Sequence, residues 1–193
     1  MIKRYRRRIA EVIMEPVPRG YVIPDIDFLR GVREVTKATD IPLIFDEVMT
    51  GLRLGLRGAQ GLFGVEPDLT TFGKVLGGGY PIGACAGRED IMKMISPGRE
   101  GGVFHSGTFN ASPISLLAGL KCIEILGREG VYEHLGELGE KMRRGLAEIL
   151  AGSGGHVFGI GSIFHVLFSP LTKVSNYRDA QQNGQSDSSS ISS

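Results

Sequence analysis

The stretch that decides the fold is LIFDEV at residues 43–48, followed by TTFGKVLGGG at residues 70–79. The apolar run before Asp46 predicts a buried strand, and residues 68–72 predict a second strand that leads into a glycine-rich loop. Lys74 lies at the start of that loop and follows Asp46 by 28 positions, which leaves room for a loop and a short helix before the second strand. We therefore expect both residues at the carboxyl ends of strands, where open α/β sheets hold their ligands.

An acid and a lysine at this predicted edge are the pair that a pyridoxal phosphate enzyme needs. A lysine amine condenses with the cofactor aldehyde, and an aspartate that faces the pyridine nitrogen keeps the ring protonated, so that it can accept electrons. Because side chains alternate along a strand, Asp46 and Val48 share a face, and Val48 is expected to pack on the flat side of the ring. Glu47 is expected to point the other way. The predicted residues are therefore Lys74, as both a catalytic and a cofactor-binding residue, with Asp46 and Val48 beside the cofactor.

Other interpretations of the same residues are open. An apolar strand that ends in two acids also describes the strand that holds a magnesium ion in nucleotide hydrolases. Such enzymes need a phosphate-binding loop, but Val75 follows Lys74, and Asp68 stands where the first glycine of that loop belongs. A lone lysine is usually a solvated surface charge. The combination of Lys74 with Asp46 and three consecutive glycines at 77–79 favours the cofactor site.

Strands and helices are predicted to alternate through the first part of the chain. An apolar run predicts a strand over residues 9–14, and Asp25 begins a helix whose apolar positions recur at helical spacing. The strand that carries Asp46 is followed by a glycine- and arginine-rich loop over residues 51–64, and a further strand is expected over residues 82–86. This alternation predicts an α/β fold with a doubly wound, mostly parallel sheet and helices on both faces.

The second part of the chain is predicted to be mainly helical and to end in two strands. A helix is expected over residues 88–95, followed by an apolar, buried helix over 112–126 and an exposed amphipathic helix over 131–150. Residues 157–160 and 163–168 predict two strands of a separate small sheet.

Composition and charge narrow the functional classes. With 41% hydrophobic and 22% charged residues the composition is that of an ordinary globular protein, and a net charge of +1 gives no general reason to bind nucleic acid or membranes. Without a signal-peptide core or an apolar run of about 20 residues, we expect a cytoplasmic protein with small-molecule partners. Cys85 and Cys122 lie in apolar stretches without metal-ligand spacing, so we expect buried, reduced thiols and no metal site.

Four motifs, in this order, resemble the class III pyridoxal phosphate-dependent aminotransferases: FDEVMTG at residues 45–51, PDLTTFGK at 67–74, GGGYPIG at 77–83 and GTF at 107–109. The resemblance extends from about residue 9 to residue 168. It implies the fold type I of these enzymes, a homodimer, and pyridoxal 5'-phosphate held at the subunit interface.

The resemblance also implies roles for single residues. Lys74 matches the Schiff-base lysine, Asp46 the partner of the pyridinium nitrogen, and Val48 the residue against the ring face. Thr108 resembles the threonine that reaches the phosphate of the neighbouring subunit's cofactor. Lys74 would then also move a proton between substrate and cofactor carbons.

Within the family the chain most resembles aminomutases, which move an amino group along one five-carbon substrate on the route to 5-aminolevulinate. A transaminase, which passes the amino group from a separate amino donor to a keto acid, stays open. We expect part of the cofactor-binding large domain at 1–126 and the start of a small α+β domain at 127–170. The composition of residues 171–193 predicts a serine-rich, disordered tail.

Several parts of the family pattern are expected to be missing. Family members are roughly twice this length, and we expect the chain to lack the N-terminal segment, the loop that holds the cofactor phosphate, and the aromatic residue on the other face of the ring. The sheet would then lose neighbouring strands and expose apolar edges. Two hypotheses follow: a pyridoxal phosphate enzyme completed by another chain, or an inactive, truncated fragment with the family's fold.

Overall fold

The computed structural model describes residues 1–176 and 178–179, and these form a four-stranded sheet, a two-stranded sheet and six α-helices. The strands are β1 Val12–Met14, β2 Leu43–Asp46, β3 Leu69–Phe72, β4 Ala84–Gly87, β5 Gly155–Ile160 and β6 Ile163–Phe168. The helices are α1 Ile2–Tyr5, α2 Ile26–Thr39, α3 Gly58–Phe63, α4 Glu89–Met92, α5 Pro113–Leu126 and α6 Val131–Ile149. Short 3₁₀ turns occur at Arg6–Arg8, Pro18–Gly20, Lys74–Gly77 and Lys93–Ile95.

The larger sheet has the order β1-β2-β3-β4 and confirms the predicted α/β class. β1, β2 and β3 run parallel, whereas β4 is antiparallel to β3. In the register of β2 and β3, Asp46 lies opposite Thr71. The carboxyl ends of these two strands therefore meet at one edge of the sheet, as the sequence predicted.

The core of this sheet lies between its strands and α2. Leu29 of α2 and both Leu43 and Phe45 of β2 are completely buried, with Val65 beside them. α2 begins where predicted, because the Asp25 carboxylate accepts a hydrogen bond of 2.9 Å from the Asp27 amide. That bond satisfies one of the amides left unpaired in the first turn of a helix.

The smaller sheet is an antiparallel hairpin of β5 and β6. Both strands were predicted, β6 with the observed bounds and β5 two residues shorter at its start. α6 packs on this hairpin, and the backbone of Gly139 approaches Gly161 so closely that a β-carbon has no room. Val174, in the first part of the predicted tail, is buried against Tyr21 and Val22. The remainder of the predicted disordered tail, residue 177 and residues 180–193, lies outside the described residues.

Two burial predictions are wrong. α5 was expected to be buried, but it packs against the Lys74–Gly77 turn and touches α6, while its other face lies open. Leu117 on that face is 67% exposed, because no described element covers it. Cys85 was expected to be buried and is exposed, since β4 is an edge strand with all four residues accessible.

Two further observations concern local structure and membranes. The spacing between Asp46 and Lys74 left room for a short helix, and the structure has the six-residue helix α3 there, within residues 51–64 that were predicted as a loop. Within the described part of the chain, every helix is too short or too polar to cross a bilayer.

Candidate active site

Asp46 is the last residue of β2, and its carboxylate is held from one side. Its Oδ1 atom accepts a hydrogen bond of 3.0 Å from the Val48 amide and one of 3.1 Å from the Thr71 hydroxyl. Among the described residues no donor reaches Oδ2, and the side chain is only half-buried. The strand end thus fixes the orientation of the carboxylate and leaves one oxygen as an accessible acceptor.

Val48 and Gly73 lie next to each other at this edge. A β-carbon added to Gly73 would lie 3.5 Å from Val48 Cγ1, and Gly73 is itself buried. The half-buried valine therefore forms an apolar surface between the ends of β2 and β3. This agrees with the expectation that Asp46 and Val48 lie near the lysine loop.

Lys74 follows β3 by two residues and begins the 3₁₀ turn Lys74–Gly77. Its side chain is exposed, and it makes no hydrogen bond or ion pair within residues 1–176 and 178–179. Its φ is +46°, a left-handed conformation that costs a non-glycine residue roughly 1–2 kcal/mol. The structure thus places an unpaired amine, on a strained backbone, at the same sheet edge as Asp46.

Glu47 is the residue whose importance the sequence analysis missed. It is 1% exposed, and its carboxylate accepts hydrogen bonds from the Thr50 hydroxyl at 2.9 Å and the Ala59 amide at 2.6 Å. The Gln60 amide and side chain add bonds of 3.1 and 3.2 Å. Because Ala59 and Gln60 are in the first turn of α3, Glu47 caps that helix and anchors the loop before it to the strand end.

The backbone of Glu47 also joins the two strands of the site. Its amide donates a hydrogen bond of 3.0 Å to the Thr71 carbonyl, while the Thr71 hydroxyl donates to Asp46. Gly58 has a φ of +59° and leaves no room for a β-carbon beside the Glu47 carboxylate. The only sequence signal for this anchor was an acid directly after Asp46 that faces away from it.

A second buried carboxylate, Asp68, lies at the opposite end of β3. It accepts hydrogen bonds from Arg33 at 2.6 Å, from Arg88 at 3.0 Å and from the Leu43 amide at 2.9 Å. Burial acts to raise the pKa of Asp68, but the bonds from Arg33, Leu43 and Arg88 outweigh it and lower the pKa to about 2. Asp68 therefore ties α2, β2 and β4 together at the edge remote from Lys74.

Thr108 lies in an exposed turn and makes no hydrogen bond with a described residue. The segment around it is apolar and open to solvent, with Phe109 87% exposed. The structure does not join Thr108 to Asp46 or Lys74 by a contact, so its part in a cofactor site stays a prediction. Among the described residues, no group of three or more His, Cys, Asp or Glu side chains is arranged to hold a metal ion.

Known proteins resemble this chain over most of its length. The family model "Aminotransferase class-III" matches residues 1–185. A curated relative, glutamate-1-semialdehyde 2,1-aminomutase of Methanococcoides burtonii, is 47% identical over 175 residues, which is 89% of this chain and 40% of the relative.

Solved structures agree with the observed fold. An omega-transaminase from Sphaerobacter thermophilus matches with a TM-score of 0.80 and 39% identity, over 88% of this chain and 40% of that one. A transaminase with PLP bound matches with a TM-score of 0.79 and 34% identity, over 86% of this chain and 40% of that one. The chain thus spans about 40% of the length of the proteins it matches.

Proposed function

The chain belongs to the class-III aminotransferase family, and we propose that its sheet edge is the lysine side of a pyridoxal phosphate site used for amino-group transfer. One observation carries this proposal: Asp46, with one carboxylate oxygen available, and Lys74, with an unpaired amine, lie at the joined carboxyl ends of β2 and β3. A PLP-bound relative supports the choice of cofactor.

The residues present fit the cofactor chemically. Asp46 Oδ2 would accept a hydrogen bond from the protonated ring nitrogen, since Oδ1 already accepts from Val48 and Thr71. The apolar side chain of Val48 would border the ring, and the Lys74 amine would form the covalent attachment. When bound, pyridoxal phosphate supplies an electron sink for negative charge at a substrate carbon.

The chain's own residues would contribute charge, position and proton transfer. Asp46 would place its carboxylate against the ring nitrogen, because the hydrogen bonds from Val48 and Thr71 to Oδ1 orient it. Lys74 Nζ would hold the cofactor and could take or return a proton at a substrate carbon. Glu47 holds the start of α3 against the end of β2, and its amide bonds to Thr71 of β3.

For the reaction itself, we propose glutamate-1-semialdehyde 2,1-aminomutase chemistry, supported by the 47% identical curated relative of that name. The substrate would be a small amino acid derivative. Amino transfer between separate donor and acceptor molecules is the second candidate, supported by the omega-transaminase at 39% identity.

The proposed assembly is a homodimer. The exposed segment around Thr108 supports this proposal, since Phe104, which is 91% exposed, and Phe109 leave apolar surface for a neighbouring subunit. In that arrangement Thr108 would reach the phosphate of the neighbour's cofactor.

The site is tested by incubating the chain with pyridoxal phosphate, reducing with borohydride and mapping the modified lysine by mass spectrometry. We expect modification at Lys74, with none remaining at that peptide in Lys74→Ala. Lys141→Ala, which removes another exposed lysine, is the matched control and should react like the unmodified chain. Equal modification of Lys74 and Lys141 would mean that Lys74 is an ordinary surface lysine.

The two reactions are separated by their need for an acceptor. An aminomutase forms 5-aminolevulinate from glutamate-1-semialdehyde without an added keto acid, whereas a transaminase gives no product until one is present. We expect product without a keto acid, and its loss in Lys74→Ala. Product only with a keto acid would favour the second candidate.

A further inference from the structure

The loop that carries Lys74 is short and has few contacts of its own. Its hydrogen bonds include those of tight turns, from the Leu76 amide to the Gly73 carbonyl and from the Gly78 amide to the Val75 carbonyl, each 3.0 Å long. Gly78 has a φ of +56°. Since the side chain of Lys74 makes no hydrogen bond or ion pair with a described residue, the position of its amine depends on what holds this loop.

The loop is docked on α5 through two glycines. A β-carbon on Gly119 of α5 would lie 2.6 Å from the Leu76 carbonyl oxygen, and one on Gly78 would lie 2.7 Å from the Ala118 carbonyl oxygen. Both distances are too short for a real β-carbon, so the two backbones meet only because each contributes a glycine. Gly119 is one of only two buried residues of α5.

One side chain of α5 adds a hydrogen bond to the same loop. Cys122 lies one turn beyond Ala118, and its thiol donates to the Val75 carbonyl at 3.2 Å. Val75 directly follows Lys74, and its carbonyl also accepts from the Gly78 amide. The thiol therefore bonds to Val75, the residue next to Lys74, within the turn that Gly78 closes.

We propose that Gly119 and Cys122 are positioning residues that hold Lys74 in place for cofactor attachment, an inference that rests on the proposed function. The face of α5 that meets the loop is covered while its other face is open. The Lys74–Gly77 turn is therefore the main neighbour of α5 within the described chain, beside its contact with α6. Displacing the loop would move the backbone that carries the Lys74 amine.

The docking is tested without cofactor by amide hydrogen exchange. Gly119→Ala should accelerate exchange of the Leu76 and Gly78 amides by about tenfold, because overpacking forces the two backbones apart. Gly145→Ala on α6 is the matched control, since a β-carbon there meets open space, and it should leave these amides unchanged. Unchanged exchange in Gly119→Ala would overturn the proposal.

The effect on Lys74 is tested by the rate at which borohydride fixes pyridoxal phosphate to it. Cys122→Ala should slow this rate about fivefold, as expected for one lost hydrogen bond, and Cys122→Ser should restore it, because a hydroxyl also donates. This pair keeps the test decisive if Gly119→Ala does not fold. Equal rates in the alanine and serine variants would show that the thiol only fills space and would overturn its role.

The two proposals fail in different ways. If the unmodified chain attaches cofactor at Lys74 and neither α5 variant slows it, the positioning role is wrong and the proposed function stands. If the unmodified chain attaches none, the proposed function fails, and the positioning role fails with it even where hydrogen exchange confirms the docking.

Discussion

The sheet core, formed by β1, β2, β3 and α2, differs sharply from the open flank, residues 84–126, in how much apolar surface is covered. In the sheet core Leu29, Leu43 and Phe45 are completely buried. On the open flank every residue of β4 is exposed, and so is most of the outer face of α5. The sheet core can fix Asp46 by itself, whereas the lysine loop rests on a helix that has only one covered face.

The largest expected effect of this difference is on stability. Phe45→Ala should lower the free energy of unfolding by about 3–5 kcal/mol, because it opens a cavity in a fully packed core. Leu117→Ala on the open flank should change it by less than about 0.5 kcal/mol, since that side chain is already in solvent. Denaturant midpoints measure both, and similar losses would contradict the comparison.

Replacing Glu47 should lower the free energy of unfolding nearly as much. Glu47→Ala should cost about 3 kcal/mol, because the Thr50 hydroxyl and the Ala59 and Gln60 amides lose their acceptor inside the protein. Glu137→Ala on exposed α6 is the matched control and should be nearly neutral. If the two variants unfold at the same denaturant concentration, Glu47 does not anchor the site.

The low pKa of Asp68 predicts that the stability of the sheet core depends on pH. The pKa of Asp68 is about 2 in the folded chain and lies below the ordinary value of 3.8. Ionised Asp68 therefore adds its full contribution to the free energy of unfolding above about pH 4, and this contribution is lost as the pH falls through about 2. The contribution of Asp68 to the free energy of unfolding is about 2 kcal/mol. The free energy of unfolding, measured from pH 5 to pH 2, should fall with pH in the unmodified chain. This slope should disappear in Asp68→Asn and remain in Asp40→Asn, which changes an exposed aspartate. An identical slope in both variants would contradict the ion pairs.

The smallest effect separates the two cysteines. Cys85 on the exposed edge strand should react with iodoacetamide before Cys122, which is half-buried and hydrogen-bonded to the lysine loop. Peptide mapping at short times measures the order. Faster reaction at Cys122 would mean that α5 does not hold the loop as described.

The sequence predicted the sheet edge because its signals are local. Apolar residues before Asp46 and glycines after Lys74 are sufficient to place a strand and a turn, and an aspartate cap with helical spacing is sufficient to place α2. Parallel pairing then brings the strand ends together.

The cap of α3 and the burial of α5 could not be predicted from the sequence, because they depend on contacts between residues far apart in the chain. α3 contains Gly58 and Gly61, which disfavour a helix, and its first turn is capped by Glu47 from 12 and 13 residues away. The apolar composition of α5 indicates what the helix would bury, but not which neighbours are present to cover it. The role of Thr108 and the domain boundaries stay predictions.

The central claim is that Asp46 and Lys74 serve one cofactor site, and the most direct measurement is cofactor attachment in Asp46→Asn. The amount of pyridoxal phosphate that borohydride fixes to Lys74 would be measured across cofactor concentrations in this variant, in the unmodified chain and in Asp40→Asn. The account predicts that Asp46→Asn needs about tenfold more cofactor, the size of a lost hydrogen bond to a charged group, while Asp40→Asn matches the unmodified chain. Identical curves for all three would contradict it, because Lys74 would then react without help from Asp46.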